Sequence, residues 1–316
     1  MTLEGKTHMG KYKIHKDYKY LEKVKIPLYP VLLPIINYFT INKFKRKKVL
    51  DGTKERDIRI SGYQGRNIRL TMIEPTGIHD TLPCIVYLHG GAFAFEAKYY
   101  HKDVMCEYAL KTPCKIIFVH YHLSPMYSFP IAIEECYAAY LWTYRNADRL
   151  GIDKRRLAVA GDSAGGTIAA ALTHMIRDRK GPACCYQMLI YPATDARENT
   201  DSMRKFKDTP LWNSKLNHKM WRYYLKNGVY HMRSYASPLE SSTFKNLPPA
   251  YIEVAEFDCL RDEGKEYAKR LKDASIPVCL NEPKGTIHGF EIRMKSKYTK
   301  SIIEKRIEHL QMNLSK

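Results

Sequence analysis

Gly161-Asp162-Ser163-Ala164-Gly165 sets one serine between glycines at positions −2 and +2. An apolar, β-prone run, Leu157-Ala158-Val159-Ala160, precedes it, and a helix-prone run, Thr167 to Leu172, follows. Strand, sharp turn, helix is the setting in which this spacing makes a nucleophile elbow. The glycines leave out the Cβ atoms that would clash in so tight a turn. The hydroxyl is thereby lifted clear of the sheet, with a helix N-terminus beneath it. A serine hydroxyl alone is a weak nucleophile: it needs a base within hydrogen-bond reach and an acid to orient that base. The bare spacing also arises by chance, so the partners must carry the argument.

Where such an elbow carries the serine, the acid and then the histidine follow it along the chain. Past the helical pattern near 167–179, the histidines are His218, His231, His288 and His309. His218 and His231 fall in a polar, aromatic interval, and His309 falls in a terminal helical pattern. His288 stands in the loop Lys284-Gly285-Thr286-Ile287-His288-Gly289-Phe290, directly after an apolar strand, and is the expected base. Two aspartates follow strands. Asp258, which follows the strand Tyr251–Ala255, is the expected acid. Asp195, one strand earlier, is the alternative, with a turn or helix-cap role otherwise. Asp262 and Glu263 open the next helical pattern, where negative charge is favourable.

A tetrahedral intermediate also needs hydrogen-bond donors for its oxyanion. His89-Gly90-Gly91-Ala92-Phe93 follows the strand Cys84–Leu88, and its small residues let backbone N–H groups approach a substrate carbonyl. A further N–H is expected from Ala164, at the helix start.

These residues need a scaffold, and the chain supplies an alternating one. Arg56–Ile60 and Ile68–Glu74 read as a strand pair turning around Gly62 and Gly65. Apolar strands at 84–88, 116–119, 157–160, 186–190, 251–255 and 278–280 then alternate with helical patterns near 99–110, 131–145, 167–179, 263–274 and 299–312. That alternation predicts an α/β fold with a mostly parallel sheet covered on both faces. Residues 196–235, polar, Lys-rich and carrying Trp212, Trp221, Tyr223 and Tyr224, read as helices inserted above the strand ends. The expected organisation is an N-terminal cap segment, 1–50, and a catalytic domain, 51–316, with a cap insertion at about 196–235.

The net charge is +19 over 316 residues, but it is unevenly spread. Residues 1–60 hold 15 Lys/Arg against 6 Asp/Glu and residues 284–316 hold 8 against 3, whereas the long middle is close to balance. The excess therefore sits at the two ends, away from the elbow, which speaks against a nucleic-acid function. Eight cysteines without a Cys-x-x-Cys pair read as reduced core residues of a cytoplasmic protein, and no metal-ligand spacing is visible. No apolar signal segment opens the chain. The run Ile26–Ile41 is short for a membrane span, and Pro27, Pro30 and Pro34 are expected to break a helix. It reads as an apolar segment packing over the pocket. The basic cluster Lys43–Lys48 leaves a monotopic membrane contact as the other reading.

Together these motifs resemble the hormone-sensitive-lipase family of α/β-hydrolase esterases. The resemblance covers roughly residues 80–291. It rests on His89–Phe93, Tyr121-His122-Leu123-Ser124-Pro125, Gly161–Gly166, Ser237-Pro238-Leu239, Leu247–Ile252, Asp258–Gly264 and His288-Gly289-Phe290. It implies Ser163 as nucleophile, Asp258 as acid and His288 as base, with oxyanion donors at Gly91, Ala92 and Ala164. It also implies a small-molecule ester of short to medium acyl chain, no cofactor, a capped pocket, and relatives that often pair as homodimers. Amidase or lactonase chemistry on the same triad and a non-catalytic binding protein on the same fold are the alternatives. Three departures stand out. Ala92 replaces a third glycine, His122 and Met126 replace an arginine and a glutamate, and Cys259 replaces a common proline. Loss of the arginine and glutamate puts the rigidity of the 121–126 loop in doubt.

Overall fold

The computed structural model describes residues 11–229 and 231–315. In chain order the elements are α1 (Leu33–Arg46), β1 (Thr53–Ser61), β2 (Asn67–Pro75), β3 (Leu82–Leu88), α2 (Tyr99–Lys111), β4 (Lys115–His120), α3 (Ile131–Arg145), α4 (Ala147–Leu150), β5 (Ile152–Asp162), α5 (Ala164–Asp178) and β6 (Gln187–Ile190). They continue with α6 (Asp201–Lys205), α7 (Ser214–Tyr224), α8 (Arg233–Ala236), β7 (Ala250–Glu253), α9 (Arg261–Asp273), β8 (Val278–Asn281) and α10 (Lys297–Leu314). The eight strands form one sheet in the order β1-β2-β4-β3-β5-β6-β7-β8. β2 pairs antiparallel with β1 and with β4, and every pair from β4 to β8 is parallel.

Parallel strands joined through helices are covered on both faces, which is why they read as unbroken apolar runs. All seven residues of β3 are buried. Because side chains alternate across a strand, Cys84, Val86 and Leu88 join one core with α3, α5 and α9. Ile85 and Tyr87 join the opposite core with α2 and α10. The same alternation runs through Ile117/Val119 against Ile116/Phe118 in β4. The strand and helix positions read from the sequence agree with these elements to within a few residues, β5 starting earlier and β7 ending sooner than expected.

The N-terminal region departs from expectation. Residues 33–46 form a helix despite Pro34, because that proline lies in the first turn, where a missing N–H breaks no intrahelical bond. One face of α1 is held to the body: Leu33 and Phe44 are buried, Phe44 stacks on Phe118, and Asn37 bonds the backbone of Ala94 and Glu96 at 2.8 and 3.0 Å. The other face is not covered.

Candidate active site

Ser163 sits between β5 and α5 with φ 53° and ψ −122°, a conformation that L-residues rarely adopt and that such elbows impose. The flanking glycines answer to space. A Cβ on Gly165 would lie 2.0 Å from the Leu88 carbonyl oxygen, and one on Gly161 would lie 2.3 Å from that of Gly165. Ser163 N–H donates to the Ile190 carbonyl at 2.8 Å, tying the turn to the neighbouring strand β6.

The structure brings three of the sequence candidates into line. His288 Nε2 stands 2.8 Å from Ser163 Oγ, and His288 Nδ1 stands 2.6 Å from Asp258 Oδ2. The other Asp258 oxygen accepts the Leu260 N–H at 3.0 Å. Asp258 is fully buried and His288 nearly so, so water does not compete for these bonds. Two loops hold the pair in register. Phe257 N–H donates to Thr286 O, Glu256 N–H to Thr286 Oγ1 and Gly285 N–H to Glu256 Oε2. Tyr191 packs its ring 4.5 Å from the His288 ring. The Tyr191 hydroxyl donates to Glu291, which pairs with the buried Arg306 of α10. Arg306 also pairs with Glu253 of β7.

The rival candidates are occupied elsewhere. Asp195 is buried against Arg197 in a two-pronged ion pair, at 2.7 and 2.9 Å. His218 pairs with Glu198, His231 is exposed, and His309 lies beside Cys279. Glu263 does not simply face its helix start: its Oε1 accepts the N–H groups of Thr194 and Asp195, and burial pushes its carboxyl well above the ordinary value.

Sequence reasoning passed over Asp162, the variable residue inside the elbow motif. Asp162 Oδ1 accepts the Gly90 N–H at 3.0 Å and the Tyr87 hydroxyl at 3.1 Å, and Oδ2 lies 3.1 Å from His101 Nε2. Burial alone would raise this carboxyl, but the His101 ring and the Gly90 N–H outweigh it and hold it below the ordinary value. The Ser163 turn is thus tied directly to the glycine loop. His89, opening that loop, is kept neutral by burial, its pKa lowered to about 4, with Nδ1 beside the Gly90 carbonyl. It is a scaffold residue. Gly91, Ala92 and Phe93 all have positive φ, at 131°, 58° and 55°, which strains the backbone at Ala92 and Phe93 but not at Gly91. Ala92 accepts that strain where glycine would not feel it.

Of the departures, the 121–126 loop is still tied down by hydrogen bonds. His122 bonds Glu135 through both its ring and its backbone N–H, at 2.6 and 2.8 Å. Cys259 is buried without disturbing Asp258. A cavity of about 160 Å³ opens onto Ser163, Gly91, Ala92 and His288, walled by Phe95, Trp212 and Leu211 and, from the N-terminal segment, by Ile26, Pro27 and Ile36.

A family model described as the alpha/beta hydrolase fold matches residues 85–292. An α/β hydrolase of Acanthamoeba polyphaga mimivirus is 35% identical over 244 residues, 76% of this chain and 70% of its own length. The carboxylesterase NlhH of Mycobacterium tuberculosis is 33% identical over 236 residues, 73% of this chain and 74% of its own. Among solved structures, the esterase LipW of Mycobacterium marinum superposes with a TM-score of 0.88 at 26% identity, covering 95% of this chain and 96% of that one.

Proposed function

The chain belongs to the α/β-hydrolase fold family, in its hormone-sensitive-lipase-like branch, and on that premise we propose that it is a serine carboxylesterase working through an acyl-enzyme. The observation that carries this reading is the unbroken series Ser163–His288–Asp258, at 2.8 and 2.6 Å, opening onto a mainly apolar cavity.

In this reading His288 Nε2 takes the Ser163 proton as Oγ attacks the ester carbonyl. Asp258 holds the tautomer with the proton on Nδ1 and stabilises the imidazolium. The N–H groups of Gly91, Ala92 and Ala164 receive the oxyanion, Gly91 and Ala92 in a loop that Asp162 anchors and Ala164 at the first residue of α5. The intermediate collapses as His288 returns the proton to the leaving alcohol. Water then attacks the acyl-enzyme by the same route and releases the acid. Ile26, Pro27 and Ile36 of the N-terminal segment and Leu211 and Trp212 of the insertion act as a cap over the cavity, residues 1–10 of the expected cap lying outside the described residues. Its volume is comparable with one that accepts a benzene ring, which favours short to medium acyl groups.

The test is hydrolysis of p-nitrophenyl esters, acetate through decanoate, by wild type and Ser163→Ala. The reading expects turnover with an optimum toward the short end, abolished in the variant. A folded wild type that binds these esters without turning them over contradicts it. Matched ester and amide substrates separate esterase from amidase, because an amide demands a better-placed general acid.

A further inference from the structure

The outer side of the N-terminal segment carries large apolar side chains that the body leaves in solvent. Tyr29 is 53% exposed, Val31 81%, Ile35 61%, Tyr38 64% and Phe39 66%. Positions 31, 35, 38 and 39 recur at the spacing of one helical face. They cannot be excused as a frayed end, because the opposite face of α1 is pinned by Leu33, Phe44 and the two Asn37 hydrogen bonds. A patch this contiguous on a soluble fold marks a contact surface.

Charge identifies what it contacts. Residues 23–50 hold seven Lys/Arg and no Asp or Glu. Lys23, Lys25, Lys43, Lys45, Arg46 and Lys48 are exposed around the patch. A second copy of this chain would bring those cations against apolar side chains or against one another, with no carboxylate in the segment to meet them. An anionic lipid surface meets both demands: acyl chains for Val31, Ile35 and Phe39, phosphates for the lysines. No helix among the described residues is long and apolar enough to cross a membrane, so the segment would lie on the bilayer.

We propose that α1 and the turn before it form a monotopic docking face for anionic phospholipid bilayers, seating the cavity mouth at the membrane surface. Ile26, Pro27 and Ile36 of this segment line the cavity, so the docked face borders the route to Ser163. The inference rests on exposure and charge alone, and its failure leaves the esterase reading untouched.

The experiment is co-sedimentation of the full chain with phosphatidylcholine vesicles, with and without phosphatidylserine. Wild type and Val31→Ser/Ile35→Ser/Phe39→Ser are compared. The side chains replaced are exposed, so folding and p-nitrophenyl acetate hydrolysis in solution stay at wild-type levels and report that the variant is sound. Wild type is expected to pellet with the anionic vesicles and much less with the neutral ones. The triple variant is expected to lose at least about tenfold in partitioning. Lys43→Glu/Arg46→Glu is expected to lose binding to the anionic vesicles alone. Failure of wild type to pellet, or equal pelleting by the triple variant, overturns the proposal. So does a dimer in sedimentation velocity that the triple variant dissociates while vesicle binding is absent.

Discussion

At the scale of single residues, the site depends on groups that act together, so each variant has a distinct signature. Ser163→Ala and His288→Ala each should lower kcat by about 10⁴-fold or more while the melting temperature stays close to wild type. Asp258→Asn should also be severe, of the order of 10⁴-fold, because an amide favours the wrong imidazole tautomer. Asp195→Asn, which touches Arg197 and not His288, should leave kcat within a few-fold of wild type; a larger loss than for Asp258→Asn would reverse the acid assignment. The alignment of Ser163, His288 and Asp258 was legible because Ser163 directly follows β5, and Asp258 and His288 stand in the loops after β7 and β8. Asp162 was not legible as an anchor, although it stands inside the motif. Its partners Gly90, Tyr87 and His101 come from three other segments, and only the fold brings them together.

Between elements, the histidine loop is steadied from behind by α10. Arg306 is almost fully buried between Glu253 of β7 and Glu291, and Glu291 accepts the hydroxyl of Tyr191, the ring packed on His288. Removing the guanidinium by Arg306→Ala strands two buried carboxylates, with a cost of about 3–5 kcal/mol in unfolding free energy measured by urea titration. A second buried carboxylate gives a pH signature. Burial, then nearby Asp195, raises the folded-state pKa of Glu263, so ionising it costs stability as pH rises from the ordinary carboxylate range through the raised value. The melting temperature of wild type minus that of Glu263→Gln should therefore shrink as pH rises, and a flat difference would refute the assignment. Strand and helix periods announced nearly every element, since central strands are apolar throughout. Helix α1 was misread because proline was weighed by its presence and not by its place in the first turn. Strand order, too, leaves no trace in local pattern.

For the whole molecule, the uneven charge read from the sequence acquires a place in space. The near-neutral middle forms most of the sheet and carries Ser163 and Asp258, whereas the cationic N-terminal stretch surrounds an exposed apolar face. If that face docks on anionic lipid, binding should weaken steeply with added salt while hydrolysis of a small soluble ester does not. All eight cysteines are free thiols, five of them fully buried. Reducing agent should therefore leave the thermal transition where it is. A drop in melting temperature on reduction would show a bridge that the fold does not contain.

The central claim is that Ser163 carries the acyl group between two half-reactions. Acid-quenched turnover of p-nitrophenyl butyrate, followed by intact-protein and peptide mass analysis, addresses it most directly. The account predicts a mass increment of one butyryl group on the peptide containing Ser163, absent from Ser163→Ala and accumulating when the alcohol leaves faster than water attacks. Rapid turnover by Ser163→Ala, or an acyl group found on another residue, would contradict it.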